Sequence, residues 1–339
     1  MTVLSAGYPF ARVEPDAVGG AEQVLCAVDA AMVRAGFRSV VLAPAGSVVR
    51  GELRPTDRPD GPLTPGVMRA ARSSYAEALV GCIRRERPDV VHLHGVDAAE
   101  YLPPPMGVPI VVTLHLWPDA YPPDLFRSHR PDVHFVCVSD AQQAACPKGP
   151  PYEVIRNGVD LEFYQPRSAR RPAVLLLGRI CPEKGFHLAI DAAKDAGLPV
   201  LIGGAVFPYA AHEEYFRSQI QPRLDDRVAF VGPVGRHAKR RLLGAVACVA
   251  VPTVVRETSS LVSMEALASG TPVVAFRTPA LEELIETGRS GYLVNDVHEM
   301  RDAFSRIGRI SAQECRRAAE SRCAVEAMTA RYLRLYREL

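Results

Sequence analysis

Nine short apolar runs recur along the chain, and their spacing constrains the fold more than any other feature. The first four are SVVLAP (39–44), DVVHLH (89–94), PIVVTLH (109–115) and HFVCVSD (134–140). The other five are AVLLLGR (173–179), PVLIGG (199–204), RVAFVGP (227–233), ACVAVP (247–252) and TPVVAF (271–276). Each is followed by turn residues and then a helical pattern, such as 20–36, 67–87, 184–197, 236–246 and 260–269. Runs this short, apolar throughout and rich in Val and Leu, fit parallel strands buried on both faces. Strand–helix alternation then implies an α/β fold with parallel sheets. The start, MTVLSAGYPF, reads as one more buried strand.

The two series are separated by NGVDLEFYQPRSARRP (157–172), which has turn signals, two prolines and little apolar period. It reads as a linker. With 339 residues, the expected plan is an N-terminal domain over 1–160, a linker over 161–172, a second domain over 173–325 and a final helix over 326–339. Two such lobes facing one another would leave a cleft at the carboxyl ends of the strands, where sheets of this kind bind ligands.

Bulk properties exclude several classes. A net charge of +2 gives no argument for nucleic acid. No apolar run reaches the ~18 residues a membrane span needs, and the N-terminus lacks the pattern of a signal peptide. The eight cysteines form no C-x-x-C pair. Neither a disulfide framework nor a zinc site is therefore expected, and reduced thiols in a cytoplasm are the reading.

The stretch RETSSLVSMEALASGTPVV (256–274) carries Glu257 and Glu265 with seven residues between them. On one helix they would lie ~12 Å apart along the axis and on different faces. Local signals favour another arrangement. ACVAVP is a strand, Ser259 or Ser260 can cap a helix, and Gly270-Thr271-Pro272 ends it. Glu257 then sits in the loop before the helix and Glu265 in its second turn, on either side of a helix N-terminus. Such an end, with free N–H groups and a positive dipole, suits an anion. Flanking carboxylates suit hydroxyls, so sugar, diphosphate and ribose fit in turn. LLLGRICPEKG (175–185) places Arg179 and Lys184 in the loop after another strand. A guanidinium fork and an ammonium point charge could neutralise a diphosphate. No D-x-D pair occurs, so the usual aspartates for a phosphate-bound metal are missing and no metal is expected.

The order G-R-x4-K-G followed by E-x7-E-A-x-A-x-G-x-P-V-V resembles the C-terminal domain of the retaining family 4 glycosyltransferases of the GT-B fold. The N-terminal half agrees, with Gly19-Gly20 opening a helix, DVVHLH before VVTLH, and VIRNGVD at 154–160. The resemblance spans nearly the whole chain and implies two facing Rossmann-like domains. It implies that Arg179 and Lys184 bind the donor diphosphate, Glu265 the ribose and Glu257 the transferred sugar. Ser259, Ser260 and Leu261 would offer amides, and Gly20 would allow close approach of a phosphate. His115 would face the donor sugar and leaving group, and the last helix would cross back to the first domain. Many relatives carry Phe-Gly-Leu where this chain has Thr258-Ser259-Ser260, so sugar identity does not carry over. The implied activity is transfer of a sugar from a uridine or guanosine diphosphate sugar to a hydroxyl acceptor, with retention and without a metal or other cofactor.

Three rival functions predict different sequences, and the intact E-x7-E with its flanking residues argues against one of them, another GT-B activity such as a phosphorylase or epimerase. An NAD-dependent oxidoreductase would show G-x-G-x-x-G after the first strand, and none is present. A non-catalytic nucleotide-sugar binder would show damage in Arg179, Lys184 or the glutamates, and all are intact. His92 and His94 point to one face of a strand, more as core or cleft-edge histidines than as a metal pair. The loop HLWPDAYPPDLFRSH (115–129) offers Trp117 and Tyr121 as acceptor-facing aromatics. Cys181 reads as a filler thiol. The basic stretches RRER (84–87), RSARR (167–171) and HAKRR (237–241) read as solvated faces, with nothing to indicate a membrane.

Overall fold

The computed structural model describes residues 1–127, 130–166 and 170–339. Ser128 and His129 of the aromatic loop, and Arg167, Ser168 and Ala169 of the linker's basic stretch, lie outside the described residues. The chain divides into two compact units. Met1–Asn157 with Ala327–Leu339 form one, and Gly158–Glu326 the other.

The first unit holds a seven-stranded parallel sheet. Its strands are β1 (Thr2–Ala6), β2 (Arg38–Pro44), β3 (Glu52–Thr56), β4 (Val90–Leu93), β5 (Ile110–Leu114), β6 (Val133–Cys137) and β7 (Tyr152–Val154), in the order β3-β2-β1-β4-β5-β6-β7. β1, β4 and β5 are buried along almost their whole length, as expected of strands covered on both faces. The edge strands β3 and β7 were not anticipated. ELRPT and YEV are short, half-exposed and polar, and Pro55 fits an edge because it donates no ladder hydrogen bond. The last helix, Val325–Glu338, contributes to this unit from Ala327 onward. It buries Tyr332 and Tyr336 in the first unit, where Tyr332 lies against Thr113 of β5 and Tyr336 against His92 of β4.

The second unit holds a six-stranded parallel sheet. Its strands are β8 (Arg171–Leu177), β9 (Val200–Gly203), β10 (Val228–Gly232), β11 (Val246–Val251), β12 (Val273–Phe276) and β13 (Gly291–Val294), in the order β10-β9-β8-β11-β12-β13. Its core packs Leu175, Val249 and Val274 of the sheet against Ile190, Leu267 and Phe304 of the helices. In both sheets the order reverses between the first strand and the fourth. That reversal opens a crevice at the strands' carboxyl ends, the place where such sheets hold ligands. In the second unit the two strands are β8 and β11.

Candidate functional site

Because β8 and β11 are parallel neighbours, the loops that follow them leave the sheet side by side. The β8 loop carries Arg179, Cys181, Glu183 and Lys184. The β11 loop carries Thr253, Glu257, Ser259 and Ser260. The backbones touch where Val254 N–H donates to the Glu183 carbonyl at 3.0 Å. Gly185 makes the approach feasible. Its φ is +60°, and a Cβ there would lie 2.3 Å from the Pro252 carbonyl oxygen.

Across this junction Lys184 Nζ donates to Glu257 Oε1 at 2.6 Å. The same oxygen accepts from Thr253 Oγ1 at 2.8 Å. The Glu257 side chain is only 10% exposed, so its charge is largely removed from water and held by one ammonium and one hydroxyl. The half-buried Arg179 guanidinium forms no salt bridge among the described residues.

The helix Leu261–Ala268 follows at once. Ser260 caps it, its hydroxyl accepting from Ser263 N–H. Glu265 sits in its second turn, 2% exposed. Its Oε1 accepts from the Tyr164 hydroxyl at 2.8 Å and from Lys239 Nζ. Burial first, and then the Glu265 charge, push the Tyr164 hydroxyl's pKa up. Arg316 fixes the surroundings by donating to the carbonyls of Leu161, Tyr164 and Ala268. Two buried atoms at this helix start have no hydrogen-bond partner: Ser259 Oγ and Glu265 Oε2. A buried polar atom left unsatisfied costs about 1–3 kcal/mol. These two are therefore positions where a hydroxyl-rich ligand would gain.

Lys239 and Tyr164 escaped the sequence reading. HAKRR reads as a solvated face, yet the Lys239 side chain is 13% exposed and paired with Glu265. The helical period of Arg236–Leu243 offered the only signal, since Lys239 and Leu243 share a face four residues apart.

In the first unit, half-buried His115 follows β5 and stands at the end of a row with the buried rings of His94 and His92. His115 Nε2 lies 3.4 Å from His94 Nδ1, and His94 Nε2 lies 3.0 Å from His92 Nδ1. His92 continues to Thr113 Oγ1 through Nε2 at 2.8 Å, and its Nδ1 meets the Tyr336 hydroxyl. Neutral rings satisfy the row with the N–H groups running in either direction, from His115 towards His92 or from His92 towards His115. Burial holds all three histidines below their ordinary pKa, His115 down to about 4, so they are neutral at pH 7. The histidine pair is thus part of the core, as its placement on the strand suggested.

Tyr121, expected to face an acceptor, is 4% exposed. Its hydroxyl accepts the amides of His115 and Leu116 at 2.9 and 3.1 Å, so it supports the His115 loop from beneath. Trp117 is half-buried at the start of a short 3₁₀ turn, Pro118–Ala120. Gly20 is exposed at the start of the helix Gly20–Arg34. Before it, a Cβ on Gly19 would lie 1.8 Å from Glu22 Oε2, the end of a flexible side chain that can move aside.

Residues 18–163 match the family model described as Glycosyltransferase Family 4, and residues 171–309 match the one described as Glycosyl transferases group 1. The chain belongs to the family 4 glycosyltransferases. Among curated relatives of this family 4 member, the D-inositol 3-phosphate glycosyltransferase of Mycolicibacterium smegmatis is 34% identical over 188 residues, covering 51% of this chain and 42% of the relative. The enzyme of that name from Corynebacterium glutamicum is 32% identical over 178 residues, covering 45% and 42%. The matched stretch is thus under half the length of either relative. Among solved structures, sucrose-phosphate synthase of Thermosynechococcus elongatus has a TM-score of 0.81 at 19% identity, covering 100% of this chain and 98% of its own. HepE of Anabaena, solved in complex with UDP and glucose, has a TM-score of 0.74 at 20% identity, each chain covered fully. These likenesses place the family 4 chain in the GT-B fold. No helix among the described residues is long and apolar enough to cross a membrane.

Proposed function

We propose that this family 4 glycosyltransferase moves a sugar from a nucleoside diphosphate sugar to a hydroxyl acceptor, with retention at the anomeric carbon. One observation carries the reading. Ser259 Oγ and Glu265 Oε2 are buried and unpartnered on either side of the Ser260-capped helix start, beside the Lys184–Glu257 pair. Anion-binding amides, two cations and acidic groups with spare acceptor capacity fit a ligand that is anionic in its middle and hydroxylated at both ends.

In this account Arg179, Lys184 and the first amides of the helix, those of Leu261 included, hold the diphosphate without a metal on it. Glu265 Oε2 accepts from the ribose, and Glu257 from the transferred sugar. Negative charge grows on the departing phosphate as the glycosidic bond breaks, and the two cations stabilise it where it forms. The leaving phosphate oxygen takes the acceptor's proton. Exposed Gly20 leaves the start of its helix open to a phosphate. His115, uncharged at pH 7, offers a sugar hydroxyl a hydrogen bond without adding a charge, and Trp117 offers a ring to an acceptor. The complexes of HepE with UDP, with UDP-glucose and with UDP and glucose support a uridine nucleotide as the first donor to try.

Calorimetric titration with UDP, GDP, ADP and their glucose conjugates, without added metal, tests the reading. One base should bind, and its sugar conjugate should release sugar to water or acceptor. Binding without any turnover on a broad acceptor panel would favour the non-catalytic binder.

A further inference from the structure

The β8 loop holds a second group of chemistry-bearing side chains, none of them given a part in donor binding. Cys181, Glu183 and His212 each present one ligating atom, and the three atoms lie within 4.8 Å of one another. It is the one such group among the described residues. Cys181 is fully buried, its thiol donating to Glu183 and making a weak contact with the Arg179 carbonyl at 3.7 Å. Glu183 is exposed, and its carboxylate accepts from the Cys181 thiol. His212 comes from the helix Ala210–Tyr215, is 7% exposed, and its Nδ1 is buried without a hydrogen-bond partner. Its ring is packed edge-on against Tyr209 at 5.0 Å, which limits how it can turn.

We propose that Cys181, Glu183 and His212 form a site for one thiophilic divalent cation, zinc being the best fit, which ties the loop carrying Arg179 and Lys184 to the helix Ala210–Tyr215. The donor set selects the ion. Thiolate with imidazole favours zinc over magnesium or calcium, which prefer oxygen ligands alone. Zinc takes sulfur at about 2.3 Å and nitrogen or oxygen at about 2.0–2.2 Å. Small side-chain rotations bring atoms already within 4.8 Å onto a common centre. Three protein ligands leave a fourth position for water or an anion.

The charges also balance. Before binding, the site carries the single negative charge of Glu183, with a neutral thiol and a neutral imidazole. Binding breaks the S–H bond, sends one proton to buffer and forms the sulfur–metal bond. A dication on one thiolate and one carboxylate then sums to zero. The neighbouring Arg179 guanidinium thus meets a neutral centre rather than a second uncompensated cation. Because binding displaces a proton from Cys181, the site's affinity should climb with pH.

The site is separate from the donor reading, and its test needs no glycosyl transfer. The reduced full-length chain is titrated with Co²⁺ and then with Zn²⁺ against a chromophoric chelator. A thiolate-to-cobalt charge-transfer band should saturate at one equivalent and be displaced by zinc, with one proton released per ion. Cys181→Ser should abolish the band, while Cys248→Ser should keep it. His212→Gln should weaken zinc by about 100-fold or more, at least the cost of losing an outer-shell partner. Circular dichroism of the metal-free variants checks that each is folded, and either variant alone suffices for the decision. Absence of a charge-transfer band in the wild type, an equal band in Cys181→Ser, or unchanged zinc affinity in folded His212→Gln would overturn the proposal.

Discussion

Lys184 and Glu257, from loops that follow two neighbouring strands, hold each other at 2.6 Å. The ammonium is therefore already aimed, and an incoming diphosphate competes with Glu257 for it. Lys184→Met should weaken nucleoside diphosphate binding by about 1.5–3 kcal/mol, or roughly 10- to 150-fold in Kd. Glu257→Gln removes the competitor. It should leave diphosphate binding as tight or tighter while transfer of the sugar collapses. Calorimetry on both variants, beside turnover, separates these outcomes.

Lys239 and Glu265 make the more buried pair, with side chains 13% and 2% exposed. Lys239→Met strands a carboxylate in the core and should destabilise the second unit by about 3–5 kcal/mol. Tyr164→Phe takes away one hydroxyl from the same oxygen and should cost only about 1.5–3 kcal/mol, the range for a hydrogen bond to a charged group. Urea denaturation ranks the two. Equal losses would contradict the reading of Lys239 as the principal partner.

The buried histidine row makes a pH prediction. Burial depresses the folded-state pKa of His92, His94 and His115, the last to about 4, against an unfolded value near 6.5. Between those values the unfolded chain binds more protons than the folded one, so stability rises with pH there. It should be full above about 6.5 and fall as pH drops towards 4, by up to about 1.4 kcal/mol per pH unit for each histidine. His94→Gln should reduce the slope of denaturation midpoint against pH. Thr113 and Tyr332 also face this row, and neither changes charge across that window.

Gly185→Ala forces φ = +60° on a residue with a Cβ and drives that carbon to 2.3 Å from the Pro252 carbonyl. The left-handed conformation alone costs about 1–2 kcal/mol. Separating the two loops should also lengthen the Lys184–Glu257 contact. The expected result is a lower Tm together with weaker nucleotide binding. Gly197→Ala, also at positive φ but with open space around it, serves as the control and should lower Tm alone.

Much of the site was legible because strand-following loops keep their order. β8 and β11 are evident as apolar runs, and the turn residues after them locate Arg179, Lys184, Glu257 and a serine cap at 259 or 260, which the structure gives as Ser260. β3 and β7 were not legible, since an edge strand need not be apolar, and ELRPT carries a proline. β13 was not legible either, since GYLV opens on a glycine and directly follows the turn residues TGRS. Lys239 and Tyr164 were missed for a different reason. Their burial depends on Glu265, far away in sequence, and no local period reports a partner. The Cys181–Glu183–His212 group was hidden in the same way. A helix some thirty residues downstream completes it, and C-x-E alone has no metal signature. Tyr121 misled because an aromatic in a loop suggests a surface, whereas its hydroxyl is needed to satisfy two backbone amides.

The most direct check is the dissociation constant of the preferred nucleoside diphosphate for the wild type and for Arg179→Met, Lys184→Met and Glu265→Gln. The account predicts that all three bind more weakly while remaining folded. The two cation variants should also lose much of their salt dependence, and Glu265→Gln should discriminate less between ribose and 2′-deoxyribose forms. Unchanged affinity in folded Lys184→Met and Arg179→Met would contradict it.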